Sequence, residues 1–169
     1  MHVVAEVPSF ESVAERHLDD VHAYLVYLTR NRETAEELTA ETFERALRQW
    51  RRFDPKRGSA KTWLCRVAHS TALDHFRAEE RRRRRERAYA AEQSNEVEDG
   101  LFGGLSPELE RALAGLSAGE REVIALRILL DLEIQAAARV LGISTTACTT
   151  RLSRALKKLE ERMSADVAA

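Results

Sequence analysis

Apolar residues recur at three- and four-residue intervals along most of this 169-residue chain, and this spacing is the feature that most limits its fold. One such run occupies residues 10–28, and others follow at 38–50 and 63–76. A stripe with that period covers one face of an α-helix, whereas a half-buried strand shows strict alternation. We therefore predict an all-α protein whose first three helices form one small bundle.

Capping and turn residues predict where these helices begin and end. Ser9 is suited to cap the first helix, and Thr34 followed by Glu37 has the pattern of a capping box for the second. The second helix should end near Trp50, because a loop with Pro55 and turn residues follows it. The third helix should continue into the arginine run at residues 81–85.

The helical pattern lapses at residues 90–106, which are rich in glutamate, aspartate, serine and glycine. Such a composition is typical of a flexible acidic linker. It divides the chain into a first domain at residues 1–89 and a second at 107–169. We therefore predict two small helical bundles joined by that linker.

The second bundle begins with its own capping signals. Ser106 before Pro107 has the pattern of an N-cap and first-turn proline, and Ser117 with Glu120 forms another capping box. Two helices should follow these signals and end near Leu130.

Residues 133–161 have the pattern of a helix-turn-helix. Gly142 suits the left-handed position that ends the first helix, and Ser144 can cap the second, with Ile143 and Cys148 as its hydrophobic staple. Alanines at 136–138 allow the helices to cross closely. A plain helical hairpin is the alternative. The residues expected to face the core are Cys148, Leu152, Leu156, Leu159 and Met163.

Charge is divided sharply along the chain, although the net charge is only -1. Residues 6–44 hold ten acidic residues against three basic, whereas residues 45–87 hold fifteen basic against five acidic. A second basic stretch at residues 139–158 holds five basic residues and no acidic one. Two basic stretches beside helices indicate two contacts with one polyanion, and solvated helix faces are the alternative.

Other function classes find little support in the sequence. The five histidines and two cysteines show no ligand spacing for a metal and no pairing for nucleophilic catalysis, so we predict neither metal nor cofactor nor enzymatic activity. Cys65 and Cys148 are expected to be buried thiols. No apolar stretch is long enough to insert in a membrane, and we expect a cytoplasmic protein.

Three segments in this order resemble the extracytoplasmic-function class of bacterial sigma factors. Residues 34–46 are similar to the polymerase-binding helix of conserved region two, and residues 63–77 to its promoter-melting and minus-ten-reading helix. Residues 116–159 are similar to region four, with Leu-Ser-Ala-Gly-Glu-Arg-Glu-Val-Ile at 116–124 and Leu-Gly-Ile-Ser at 141–144. The family's role, directing promoter-specific transcription initiation, is what the resemblance implies for this chain.

The resemblance also implies three sets of site residues. Contacts with the minus-ten element and melted DNA fall on Lys61, Trp63, Arg66, Ser70, Asp74, Arg77, Arg81 and Arg82. Contacts with the minus-thirty-five element fall on Ser144, Thr145, Thr146, Thr149, Thr150, Arg151, Arg154 and Lys157. Contacts with polymerase fall on Glu36, Glu37, Leu38, Glu41 and Arg45.

The sequence departs from the family pattern at several of these surfaces. Ala40 stands where the family often has glutamine facing polymerase, Ser70 where it often has asparagine, and Thr149 where lysine is common. Trp63 has two interpretations, since its spacing fits both a core position and a ring that stacks on an unpaired base.

The implied partners are core RNA polymerase, through its beta-prime clamp and beta flap, promoter DNA, and an anti-sigma factor. In holoenzyme the protein would be associated with the nucleoid. The alternative is a helix-turn-helix regulator or sigma-like interaction protein that does not itself direct initiation. A plain repressor has no need of the constellation at residues 34–77, which favours the sigma-factor hypothesis.

Overall fold

The computed structural model describes residues 7–87 and 105–167, and within those two ranges it contains helices and connecting turns but no strand. The first half holds three helices, α1 (Phe10–Thr29), α2 (Arg32–Gln49) and α3 (Ala60–Arg87). The second half holds four, α4 (Pro107–Ala114), α5 (Ala118–Ile124), α6 (Ile134–Leu141) and α7 (Thr145–Val167). The predicted all-α fold is confirmed.

The start of α1 agrees with the sequence prediction, but the start of α2 does not. The Ser9 hydroxyl accepts a hydrogen bond from the Ser12 amide at 3.2 Å. The capping box predicted from Thr34 is wrong, because Asn31 caps α2 and its side-chain oxygen accepts from the Thr34 amide at 2.8 Å. Arg30 adopts a left-handed conformation with φ 55° that ends α1, so Asn31 follows in the extended conformation a cap requires.

Helix ends in the second half match the predictions closely. The Ser106 hydroxyl caps α4 with proline in its first turn, and Ser117 and Glu120 form a reciprocal capping box on α5. Helix α5 then continues through a π-helical turn, Ala125–Leu129, that the sequence pattern did not predict, and the segment ends at Leu130 as expected.

The first half packs α1, α2 and α3 around a core that includes Tyr24, Leu25 and Leu64. A group of aromatic rings closes one end of this bundle, with neighbouring ring centroids 4.7 to 6.4 Å apart. Its members are Phe10, Phe43, Trp50, Phe53 and Trp63. The apolar runs that predicted these three helices also contain large side chains that the packing leaves exposed, namely Leu18, Leu47 and Phe76.

The two halves are in direct contact in the described structure. Helix α6 packs on α3, while α1 contacts α5 and the π-helical turn. The buried apolar side chains of both halves form one continuous cluster. The exact domain boundaries stay a prediction, and residues 90–104 of the predicted linker lie outside the described residues.

Candidate DNA and polymerase interfaces

The outer face of α3 gathers most of the residues predicted to contact the minus-ten element. Arg66, Ser70, Asp74, Arg77 and Arg81 are all exposed. Their spacing of three and four residues places them on one side of the helix. We call these five residues the α3 stripe. It presents cations and hydrogen-bonding groups in a line about 20 Å long, as expected from the helical rise.

Arg82 lies beside the α3 stripe and is also exposed. Its guanidinium is 3.5 Å from the carboxylates of both Glu79 and Glu86. These exposed pairs contribute little stability, so Arg82 can exchange them for a phosphate at small cost.

Trp63 combines the two interpretations left open by the sequence. Its ring is partly buried and lies 5.6 Å from the ring of Trp50 and 5.8 Å from that of Phe53. With Arg66 and Ser70 it also lines a surface cavity of about 250 Å³. The tryptophan is therefore anchored by aromatic packing while it borders the α3 stripe.

Lys61 does not join the α3 stripe. Its ammonium lies 3.4 Å from the carboxylate of Asp20 on α1. At about 100° per residue, Lys61 is rotated roughly 140° around α3 from Arg66. Its predicted DNA contact stays a prediction, and the helix turns this side chain towards α1 and away from the α3 stripe.

Arg45 joins the predicted polymerase surface to the α3 stripe. Its guanidinium lies 2.5 Å from the Glu41 carboxylate on its own helix and 2.8 Å from the Asp74 carboxylate on α3. The hydrogen bond to Asp74 is the main cause that raises the pKa of Arg45. Because Arg45 compensates the Asp74 carboxylate, that group repels a nearby phosphate less strongly.

The predicted polymerase surface on α2 is only partly as expected. Glu36 and Glu37 are exposed and Glu41 is partly exposed, so they form an acidic surface. Leu38 is only 4% exposed and packs in the core, because it lies on the inner side of α2. Its predicted contact with polymerase is corrected accordingly.

The helix-turn-helix is formed by α6 and α7 and confirms that prediction. Gly142 has φ 65° and ψ 32°, and its left-handed conformation ends α6. The Ile143 amide donates to the Ala138 carbonyl at 3.1 Å, and the Ala147 amide donates to the Ser144 hydroxyl at 3.1 Å. The buried thiol of Cys148 holds the start of α7 against the core.

The outer face of α7 carries the residues predicted to read the minus-thirty-five element. Those fully on the surface are Ser144, Thr145, Thr146, Thr149, Thr150, Arg154 and Lys157. Arg151 is partly buried, and a side chain added at Gly119 would meet its guanidinium at 3.1 Å. The guanidinium therefore lies against α5, and only part of it is available to DNA.

The inner face of α7 differs from the prediction at two positions. Cys148 and Ala155 are fully buried, and Leu152 and Leu159 are partly buried. Leu156 and Met163 are 44% and 38% exposed, contrary to their predicted core positions. The short helices α4 and α5 cover too narrow a strip of this long helix to bury every apolar residue.

Two contacts between the halves involve residues that the sequence analysis did not assign to a site. The Arg139 guanidinium on α6 donates a hydrogen bond to the Arg57 carbonyl at 2.8 Å. The His69 imidazole on α3 lies 3.9 Å from the Glu122 carboxylate on α5. Since these partners are far apart in sequence, no local pattern pairs them.

The described residues form neither a cluster of metal ligands nor a helix that could span a membrane. Within 7–87 and 105–167, no three His, Cys, Asp or Glu residues come close enough to hold a metal ion. No helix in the same ranges is long and apolar enough to cross a membrane.

Comparisons with known proteins agree with the geometry. The Sigma-70 region 2 family matches residues 13–82, and the Sigma-70, region 4 family matches residues 106–159. The two matches contain the α3 stripe and the helix-turn-helix, respectively.

Among solved structures, the fold is similar to that of the sigma factor RpoE in complex with the anti-sigma factor NepR from Bartonella quintana. The TM-score is 0.79 with 23% identity, covering 93% of this chain and 98% of that one. The structure of CnrH in complex with the cytosolic domain of CnrY gives a TM-score of 0.66 with 24% identity, covering 93% and 88%. At these identities the likeness concerns the fold.

Several relatives of similar sequence carry the name ECF RNA polymerase sigma factor. The chain is 32% identical to the ECF RNA polymerase sigma factor BldN of Streptomyces coelicolor, over 91% of this chain but only 60% of BldN. It is 28% identical to SigX of Bacillus subtilis, over 92% and 84%. It is 31% identical to SigC of Mycobacterium tuberculosis, over 87% and 79%. The chain therefore belongs to the ECF family of sigma-70 RNA polymerase sigma factors.

Proposed function

We propose that this protein directs promoter-specific transcription initiation by binding core RNA polymerase and recognising the minus-ten and minus-thirty-five elements. The observation that carries the proposal is that two separate exposed faces, one on α3 and one on α7, present the cations and hydrogen-bonding groups that DNA recognition requires. A plain helix-turn-helix regulator uses only the second kind of face. An acidic surface on α2, adjacent to the α3 stripe through Arg45, gives the additional docking site that a polymerase subunit needs.

The α3 stripe is suited to hold separated DNA strands. Arg66, Arg77, Arg81 and Arg82 supply cations for phosphates, and the partly exposed ring of Trp63 offers a stacking surface for an unpaired base. Because these contacts favour single strands, they stabilise melted DNA without ATP hydrolysis.

Helix α7 is suited to enter a major groove. Its threonines and Ser144 present short hydrogen-bonding groups to base edges, while Arg154 and Lys157 reach phosphates or guanine.

The acidic surface of α2 supports docking on a basic part of the polymerase, in the family the beta-prime clamp. Complementary charge there mainly steers and orients the partner. The second half would contact the beta flap. The complex of RpoE with the anti-sigma factor NepR supports an anti-sigma factor as a further partner. With these partners the protein would act in the cytoplasm, at the nucleoid when bound to polymerase.

Run-off transcription tests the proposal. Purified protein and core polymerase are incubated with a library of promoter fragments, with a sigma factor of known promoter as the control. We expect transcripts from a small subset of fragments that share upstream and minus-ten sequences. Binding of fragments without any specific transcript, while the control is active, would identify a conventional DNA-binding regulator instead.

A further inference from the structure

Asp74 is the one acidic residue of the α3 stripe. Ser70 lies one turn before it and Arg77 one turn after it, and the Asp74 side chain is 52% exposed. A carboxylate and a DNA phosphate repel each other because both are negatively charged. An acidic side chain in the middle of a surface proposed to follow phosphates therefore requires a compensating charge.

The compensating charge comes from Arg45 on α2. Its Nη1 atom donates a hydrogen bond to the Asp74 carboxylate at 2.8 Å, and its Nη2 atom lies 2.5 Å from the Glu41 carboxylate. Because one planar guanidinium holds a carboxylate on each side, its orientation between the two helices is fixed. The Arg45 side chain is only 33% exposed, so water competes less for it than for a fully exposed cation.

The contact between Arg45 and Asp74 differs from the ion pairs near the end of α3, which join neighbouring turns of one helix. Arg84, for example, pairs with Glu80 at 2.9 Å, as residues four apart on a helix commonly do. Arg45 and Asp74 are 29 positions apart and lie on different helices. The packing of α2 against α3 therefore supplies Asp74 with its partner.

Arg45 also borders the surface that a single strand would follow. With Trp63, Arg66 and Ser70 it lines the surface cavity of about 250 Å³. Asp74 lies one helical turn beyond Ser70, about 6 Å along α3, so a strand held at this cavity would carry its next phosphates past Asp74. An uncompensated carboxylate about 6 Å from one phosphate weakens binding roughly threefold in water, and roughly tenfold when two phosphates lie at that distance.

We propose that Arg45 is a positioning residue for DNA binding, which acts through Asp74 by holding that carboxylate neutralised and turned towards α2, so that strand phosphates can pass along the α3 stripe. This role rests on the proposed function. It is additional to the polymerase contact that the family resemblance implies for Arg45, and it requires no direct contact between Arg45 and DNA.

A double-mutant cycle tests the proposal. Holoenzyme is assembled from core polymerase with the wild-type protein, Arg45→Ala, Asp74→Asn, or the double variant, at concentrations that saturate core polymerase, so that altered docking does not enter the measurement. The probe is a forked promoter fragment with an unpaired minus-ten strand, chosen from the fragments transcribed in the run-off test. Fluorescence anisotropy gives the dissociation constant of each holoenzyme for this probe.

We expect Arg45→Ala to raise the dissociation constant about three- to tenfold when Asp74 is present, and less than about twofold in the Asp74→Asn background. The loss should shrink as the salt concentration is raised, because salt screens the repulsion between the exposed carboxylate and phosphates. A loss caused by misfolding would persist in both backgrounds. An equal loss in both backgrounds, or no loss in either, would overturn the role of Arg45.

Arg48→Ala is the matched control. Arg48 lies on the same helix, is exposed, and pairs with Glu44 one turn earlier rather than with a residue of α3. Its removal deletes the same charge and should have the same small effect with Asp74 or in the Asp74→Asn background. If Arg48→Ala showed the same dependence on background as Arg45→Ala, overall charge and not the contact with Asp74 would be responsible, and the proposal would fail.

The run-off test separates this inference from the proposed function. Promoter-specific transcripts from the wild-type protein, together with equal losses in both backgrounds, would overturn the role of Arg45 and leave the proposed function standing. Without any promoter-specific transcript from the wild-type protein, the proposed function fails, and the inference that rests on it fails with it.

Discussion

Cys65 and Cys148 show how burial decides the chemistry of a single residue. Both thiols are fully buried and free. Burial raises the pKa of Cys65 to about 12 and also raises that of Cys148. With a pKa near 12, about one Cys65 thiol in ten thousand is ionised at pH 8, and only the thiolate is an effective nucleophile.

We therefore expect neither thiol to react with Ellman's reagent in the native protein at pH 8, and both to react at once in guanidinium chloride. Absorbance of the released thiolate measures both rates. Rapid reaction of one thiol under native conditions would show that its half of the molecule opens locally.

His69 makes stability depend on pH in a predictable direction. Burial lowers its pKa below the ordinary value near 6.5. At a pH between the pKa of the native state and 6.5, the unfolded chain therefore binds more protons at this histidine than the folded protein does. The contribution of His69 to the free energy of unfolding thus decreases as pH falls through about 6.5. The decrease ends below the native pKa.

The variant His69→Gln keeps a hydrogen-bonding group near Tyr24 but does not titrate. We expect urea denaturation at about pH 7.5 and 5.5 to show that the free energy of unfolding of the wild type falls relative to that of the variant at the lower pH. His75→Gln, a partly exposed position on the same helix, is the matched control. A difference that is independent of pH would exclude His69 as the titrating group.

At the scale of helices, Glu120 connects the start of α5 to α7. Its carboxylate accepts from the Ser117 amide at 2.9 Å and lies 2.7 Å from the Lys158 ammonium. The hydrogen bond to Lys158, and next that to Ser117, lower the pKa of Glu120. The stabilisation is therefore present above the unfolded value near 4.5 and is lost as pH falls through the native pKa.

Glu120→Gln retains the capping geometry and removes the charge. Because the Lys158 side chain is half exposed, we expect the free energy of unfolding to fall by about 1 kcal/mol at pH 7. Urea unfolding should give converging stabilities for wild type and variant as the pH is lowered towards 3. If the free energies of unfolding of wild type and variant differed by the same amount at both ends of this pH range, packing and not the charge would account for the loss.

Helix α7 should read DNA without contributing to polymerase binding through the same side chains. Arg151→Ala with Arg154→Ala is expected to lower affinity for the minus-thirty-five fragment at least about tenfold, because each cation is proposed to contact a base or a phosphate. Fluorescence anisotropy with the fragment and with core polymerase measures the two affinities. Arg162→Ala, further along α7, is the control. An equal loss of affinity for DNA and for polymerase would contradict the prediction that these side chains serve DNA binding alone.

At the scale of the whole molecule, the continuous apolar core couples the stability of the two halves. Both tryptophans, Trp50 and Trp63, lie in the first half, whereas the circular dichroism signal comes from helices in both. Cooperative unfolding therefore predicts coincident urea midpoints by fluorescence and by circular dichroism. A separate circular dichroism transition without a fluorescence change would indicate that the second half unfolds alone.

Much of the helical architecture was accessible from sequence because the responsible signals are local. Ser9, Ser117 and Gly142 act within one helical turn, and each was predicted correctly. Errors arose where neighbouring elements decide. Leu156 looked like a core residue and is exposed, whereas Leu38, which the apolar spacing placed on an inner face, is buried, and only the family resemblance had assigned it to the docking surface. Periodicity shows which residues share a face but not how much of that face another helix covers.

Local spacing, composition and capping chemistry were sufficient to predict the all-α fold, the division of charge and the helix-turn-helix, while the linker position stays a prediction. The tertiary structure decided which faces meet. The bond from Arg139 to Arg57 joins residues 82 positions apart, and the contact between His69 and Glu122 joins α3 to α5. Such contacts depend on how whole helices pack, since no local preference extends across that length of chain.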